Sequence, residues 1–158
     1  MVIVSIADLK VTGDGNETLV TYALGSCVGI CLRDAANGVY GLAHIMLPWS
    51  KEASSAEKNP RRYADTCITE LISTMVNMGA KRSGLEAKIA GGAQMFGAAS
   101  GAFNIGERNI SAVYRVLEAY GIPVVGAEVG GSIARTLYFH CSDFAVEIRT
   151  ANRPNIII

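Results

Sequence analysis

A chain of 158 residues, half of them hydrophobic and 18% charged with a formal net charge of zero, is long enough to bury one core without disulfide or metal staples, so one domain spanning 1–158 is expected. Balanced charge argues against nucleic acid or anionic lipid as partners. No run approaches the roughly 18 apolar residues of a membrane span, and "MVIVSIADLKVTGDG" has no leader-like pattern, which predicts a cytoplasmic protein without membrane insertion.

In chain order, residues 18–24 (TLVTYAL) and 28–34 (VGICLRD) are rich in β-branched and apolar residues and predict strands. Residues 38–47 (GVYGLAHIML) follow the turn-forming DAANG, so a hairpin is expected. The polar stretch 48–62 has neither strand nor helix period and reads as a long surface loop. A helix is predicted from Pro60 to Met78: Asn59 caps it, Pro60 suits its first position, and Gly79 suits its left-handed stop. Ala64, Cys67, Ile68, Leu71, Ile72 and Met75 form its apolar stripe. After a short strand at 86–96, a second helix from Gly106 to Tyr120 places Ile110, Val113, Tyr114 and Leu117 on one face. Three further strands are predicted within 123–131, 135–141 and 144–150, and the tail 151–158 is expected to be irregular. This order of elements predicts an α+β layered sandwich, with a mixed, largely antiparallel sheet and two main helices. The glycines of 92–106 have neither the Walker lysine nor dinucleotide spacing, so no nucleotide site is expected.

The four cysteines, Cys27, Cys31, Cys67 and Cys141, include no C-x-x-C pair and are expected to be free thiols rather than disulfides or zinc ligands. Cys27 follows two small residues, Gly25 and Ser26, just ahead of a strand, and one of only two histidines, His44, lies on the partner strand of the hairpin. If the loop is Asp34 to Asn37, Cys27 falls directly opposite His44, with Cβ atoms roughly 4.5–5.5 Å apart. A two-residue Asn37-Gly38 loop instead separates them by about 13 Å along the strand. A neighbouring imidazole can take the thiol proton and return one to a leaving group. Such a pair needs a third group to orient the ring, and Thr21 on the preceding strand is the nearest polar side chain. Gly25 and Ser26 would let a substrate approach, and backbone N–H groups around Cys27 could hold an oxyanion.

The plain alternative has weight. A cysteine at a strand start is commonly a small buried hydrophobe, and a strand histidine is commonly structural. Cys31 and Cys67 read as core. His140 and Cys141 are sequence neighbours on a strand and point to opposite faces, so they make a poor pair.

The segments "LGSCVGICLRD", "GLAHIMLP", "KIAGGAQMF", "NIGERN" and "VGGSIAR" resemble, in order and spacing, the chemotaxis protein CheD family of chemoreceptor glutamine deamidases, over about Leu19 to Val146. The resemblance implies a cysteine hydrolase that converts glutamines of methyl-accepting chemoreceptors to glutamate through a thioester, with catalytic Cys27, His44 and Thr21 and no metal or organic cofactor. It also implies a fold similar to that of the cytotoxic necrotizing factor-type cysteine deamidases. Members of the family are also partners and activators of CheC-type phosphatases, so a regulatory binding role with little turnover is the alternative; a cysteine amidase or protease with another substrate is a third. Met95, Phe96 and Phe103 would line the approach to the site or fill the core. Two departures stand out: Ala134 replaces the last glycine of a G-G-x-x-G-R pattern, and Asp143-Phe144 stands where the family has a Thr-Gly turn.

Overall fold

The structure, a computed structural model, describes residues 1–54, 59–95 and 104–158. Strands β1 (Val2–Ile3) and β2 (Asp8–Thr12), which the sequence pattern did not predict, precede β3 (Thr18–Leu24), β4 (Val28–Asp34) and β5 (Val39–Ile45). Helix α1 (Ala64–Asn77), β6 (Leu85–Gly91) and α2 (Ile105–Ala119) follow, and β7 (Val124–Val129), β8 (Arg135–His140), β9 (Val146–Arg149) and β10 (Ile156–Ile157) complete the chain.

The strands form two five-stranded sheets, ordered β1-β3-β8-β9-β10 and β2-β5-β4-β6-β7. Pairing is antiparallel except for β1 with β3 and for β6 with β7, whose crossover carries α2. The inner strands of the second sheet are buried on both faces, which is why β4 is almost continuously apolar. Val28, Ile30 and Leu32 face the helices beside Ile68, Leu71 and Leu117. Cys27, Cys31 and Leu42 face the first sheet beside Leu19, Leu137 and Phe139. The result is three layers, helices on sheet on sheet, an α+β sandwich as the order of elements predicted.

Several expectations are corrected. Residues 60–62 form a separate 3-10 turn, in which the Asn59 side chain accepts from Arg61 N at 3.0 Å. The α-helix begins only after Tyr63, because Tyr63 is extended and its segment bridges to residues 46–47: Met46 N and Leu47 N both donate to Arg62 O, and Ala64 N donates to Leu47 O. On α2 the buried face is Gly106, Asn109, Ala112, Val113, Val116 and Leu117, so Tyr114 is exposed and an asparagine takes a core position. The tail is not irregular. Ile156 and Ile157 pair with β9, and Ile158 exchanges both backbone bonds with Val146 at 3.0 Å. Main-chain pairing holds Ile156 and Ile157, which stay exposed, while Ile158 also packs against the inter-sheet core and its carbonyl accepts from Lys88 Nζ at 2.8 Å.

The hairpin register differs from both predicted forms. The loop has four residues but spans 35–38, with Gly38 at φ +62°, so Asp34 pairs with Val39 and Gly29 lies opposite His44. Asp34 stays in the ladder because its buried carboxylate accepts from Lys81 N (2.8 Å), Asn37 N (3.3 Å) and Asn37 Nδ2 (2.7 Å). These bonds hold its carboxyl below the usual range despite burial.

Of the two departures from the family pattern, Phe144 is the informative one. It adopts φ +64°, a conformation that normally favours glycine. Its ring is offset against this strain: it is buried, packs edge-on to Phe139 at 5.5 Å and lies under the Arg33 guanidinium at 4.2 Å.

Candidate active site

A bulge in β3 begins the site. The pairing of β3 with β8 slips between Thr21 and Leu24, Ala23 takes φ +57°, and Gly25 N donates back to Ala23 O at 2.9 Å. The chain thereby leaves the first sheet and crosses to the second within Gly25-Ser26-Cys27. Thr21, Cys27 and His44 all project into the layer between the sheets. Because Gly29 lies opposite His44, Cys27 is not directly across from the histidine; it precedes β4 by one residue and lies on the same face, one diagonal step away. The missing side chain at Gly29 brings the sheets close, since an added Cβ would lie 3.0 Å from Leu137 Cδ1, 3.2 Å from Leu24 Cδ1 and 3.7 Å from Thr21 Cγ2.

That approach places Thr21 Oγ1 2.7 Å from His44 Nδ1, and the same hydroxyl donates to Val4 O, also at 2.7 Å. A hydroxyl has one hydrogen. With that hydrogen on the Val4 carbonyl, Thr21 accepts from His44, so Nδ1 carries the ring proton and Nε2 carries the lone pair. Nε2 is buried and has no hydrogen-bond partner among the described residues. The β1–β2 connection runs beside His44: Ala7 N donates to the His44 main-chain carbonyl at 2.9 Å, and Val4 is buried.

Burial sets the charge state. It pushes His44 down to about 4 and the Cys27 thiol up, the latter partly offset by the Cys27 backbone N–H beside the sulfur. At neutral pH the pair is therefore a neutral thiol and a neutral imidazole rather than an ion pair. This carries a stability consequence. Unfolded His44 titrates near 6.5 and folded His44 near 4, so above pH 6.5 the difference costs nothing. As pH falls from about 6.5 to about 4, the unfolded chain takes up a proton that the folded chain refuses, and up to about 3 kcal/mol of stability is lost. Urea unfolding at pH 7.5 and 4.5 should show this loss for the parent and a smaller one for His44→Gln.

The loop before Cys27 is held by its carbonyls. Gly25 O accepts from Ala93 N (2.8 Å), Ser26 O from Asn109 Nδ2 (2.9 Å) and Cys27 O from Gly92 N (2.8 Å). The N–H groups of Ser26 and Cys27 donate to no other residue among the described ones, whereas that of Gly25 is taken by Ala23 O. Gly25 does not open to free space either: an added Cβ would lie 3.0 Å from Met95 Cγ. Met95 is 44% exposed, so it covers the loop from outside instead of filling the core. Phe96 and Phe103 lie outside the described residues.

The other thiols are core: Cys31 and Cys67 are fully buried with their pKa values pushed up, Cys67 to about 12. His140 is turned to Thr18 Oγ1 and Glu147, away from Cys141. Two groups escaped the sequence reading. The Val4 carbonyl has no side-chain signature, and Asn109, although it ends the segment NIGERN, was given no role.

Together these features describe a class: an α+β protein of two stacked sheets, with a thiol, an imidazole and a hydroxyl gathered where the chain passes from one sheet to the other. The family model described as CheD chemotactic sensory transduction matches residues 46–150. The probable chemoreceptor glutamine deamidase CheD of Oceanobacillus iheyensis is 40% identical over 98% of this chain and 94% of its own length. The chemoreceptor glutamine deamidase CheD of Halalkalibacterium halodurans is 44% identical over 95% and 93% respectively. This chain belongs to the CheD family. Among solved structures, Neisseria meningitidis protein NMB0706, of the DUF152 family, superposes with a TM-score of 0.48 at 11% identity, covering 84% of this chain and 63% of that one. No helix of the described residues is long and apolar enough to cross a membrane.

Proposed function

We propose that this chain is a protein-glutamine deamidase acting on the cytoplasmic domains of methyl-accepting chemoreceptors, with Cys27 as nucleophile, His44 as acid and base, and Thr21 as the residue that orients the ring. Family membership and the names of its relatives support the substrate class. The observation that carries the chemistry is the His44 ring, with Nδ1–H held by Thr21 and an unpartnered Nε2 on the face that Cys27 shares.

Each step follows from that tautomer. Nε2 takes the Sγ proton as sulfur bonds to the carboxamide carbon, and the carbonyl electron pair moves onto oxygen, facing the N–H groups of Ser26 and Cys27. The tetrahedral adduct collapses, the C–N bond breaks, and Nε2–H protonates the leaving nitrogen, which departs as ammonia. A thioester remains on Cys27. Water adds to its carbonyl and gives a proton to Nε2; the C–S bond then breaks, the proton returns to sulfur, and glutamate is released. The balance is glutamine plus water to glutamate plus ammonia, with no metal or organic cofactor in the scheme.

Incubating the protein with receptor cytoplasmic fragments should release ammonia and replace NH2 by OH at particular glutamines, read by peptide mass mapping. Peptide cleavage would indicate a protease instead, and complex formation without any mass change would indicate a binding role such as a partnership with a CheC-type phosphatase; either result overturns the deamidase reading.

Thr21→Val should cost roughly 10–100-fold in kcat, because the isosteric change frees the ring to take the wrong tautomer and strands two buried polar groups. Thr21→Ser should stay within about threefold of the parent. Equal kcat for parent and Thr21→Val would remove Thr21 from the site. Because His44 stays neutral down to about pH 4 and burial raises the thiol, kcat/KM should be level from about pH 5.5 to 8.5. A bell centred near neutrality would contradict the neutral pair.

A further inference from the structure

Asn109 is fully buried on α2, and its side chain reaches both arms of the site. Its Nδ2 donates to Ser26 O and to Met46 O, both at 2.9 Å. The orientation of the amide follows from its partners, since both are carbonyls and only the nitrogen can serve them. Oδ1 has no partner. A buried asparagine in a helix interior, with an unsatisfied oxygen, is a poor choice for stability alone, so its two donated bonds need a reason.

The reason lies in what those carbonyls belong to. Ser26 immediately precedes Cys27, and Met46 comes two residues after His44. The β4–β5 ladder ends at the pair Val28 and Ile45, so beyond it no strand pairing joins the two arms. Asn109 makes that connection. The peptide unit adds a second effect. It is planar and trans, so the Ser26 C=O and the Cys27 N–H point in opposite directions from one rigid plane. Drawing the Ser26 carbonyl inward toward α2 turns the Cys27 N–H outward, beside its own sulfur, where the oxygen of an adduct on Cys27 would develop its charge.

We propose that Asn109 is a positioning residue for the reaction: it aims the Cys27 N–H as an oxyanion donor by holding the Ser26 carbonyl, and it ties that loop to the histidine arm by holding the Met46 carbonyl. The inference rests on the cysteine chemistry proposed above but not on the identity of the substrate.

The test compares two reactions of Cys27 that differ in their need for an oxyanion donor. Iodoacetamide alkylates the thiolate by displacement at carbon and develops no oxyanion. Butyraldehyde adds the thiol across its carbonyl, forming a C–S bond and moving the sulfur proton to oxygen, and so samples the donor. In Asn109→Ala, alkylation at Cys27, followed by peptide mapping, should stay within about threefold of the parent. Butyraldehyde affinity, read as protection against alkylation, should fall roughly 10–100-fold, and kcat on a receptor fragment should fall by a similar factor with KM little changed. Asn109→Ser, which keeps one donor, should lie between the two. Unchanged aldehyde affinity and kcat in a folded variant would overturn the proposal. So would a parallel loss of alkylation, or failure of both variants to fold at 25 °C, since each makes Asn109 a scaffold residue. If the parent does not deamidate receptor fragments, the deamidase reading fails while the aldehyde and alkylation arms still decide the role of Asn109.

Discussion

Cys27→Ala is expected to lower glutamine deamidation by about a thousandfold or more while leaving the fold intact. The side chain is small, 9% exposed and at the edge of the inter-sheet cluster, so its truncation leaves little cavity. A stability change within about 1.5 kcal/mol by urea unfolding should accompany the lost activity. His44→Ala should come close to the same rate, and the double variant should be no slower than Cys27→Ala, because nucleophile and base act as one unit. Activity surviving in Cys27→Ala, with the protein folded, would assign the nucleophile elsewhere. The remaining cysteines offer no obvious substitute, being fully buried or nearly so.

Gly91→Ala is expected to be strongly damaging. Gly91 ends β6 at φ +114°, a conformation that strains any other residue, and an added Cβ would sit 2.3 Å from Cys27 O and 3.2 Å from Val28 Cα. Neither neighbour is a flexible side-chain end, so β4 or β6 must move. The displaced group is the carbonyl of the nucleophile itself, which Gly92 N now holds at 2.8 Å. A loss of about 3 kcal/mol or more in urea unfolding is expected, with activity lost even where the variant folds. Gly13→Ala, whose added Cβ meets nothing closer than 3.9 Å, is the control and should stay within about 0.5 kcal/mol. If Gly91→Ala matches that control, the tight crossing of β4 and β6 beside Cys27 is not what shapes the site.

Much of the site was legible in the residue pattern for a physical reason. Strand side chains alternate faces with a period of two, so Cys27 and His44, on the two arms of one hairpin, share a face under any loop with an even number of residues. Parity was enough to bring them to the same side, and of the two loops left open by the sequence the four-residue one has the observed length. Its position was off by one residue on each arm, because Asp34 belongs to the ladder. That decision rests on Asn37 within the turn and on Lys81, which lies far from it in sequence. The start of α1 was misplaced for a similar reason: Pro60 and Asn59 form a sound local helix start, but residues 46–47 draw Tyr63 into extended pairing. The C-terminal isoleucines gave no strand signal because what holds them, the ladder with β9 and the Lys88 bond to the Ile158 carbonyl, comes from other strands.

By itself, the order of residues determined the strands flanking Cys27, the presence of a turn between β4 and β5, the two amphipathic helices and the sharing of one face by thiol and imidazole, because all of these depend on local spacing and strand parity. Only the tertiary structure decided which ring nitrogen of His44 bears the proton, since that depends on Thr21 and Val4 reaching it from the other sheet. The same holds for the peptide plane before Cys27, which is set by an amide on α2 more than eighty residues away. Such contacts join elements that no local period relates, and they form only when the layers close on one another.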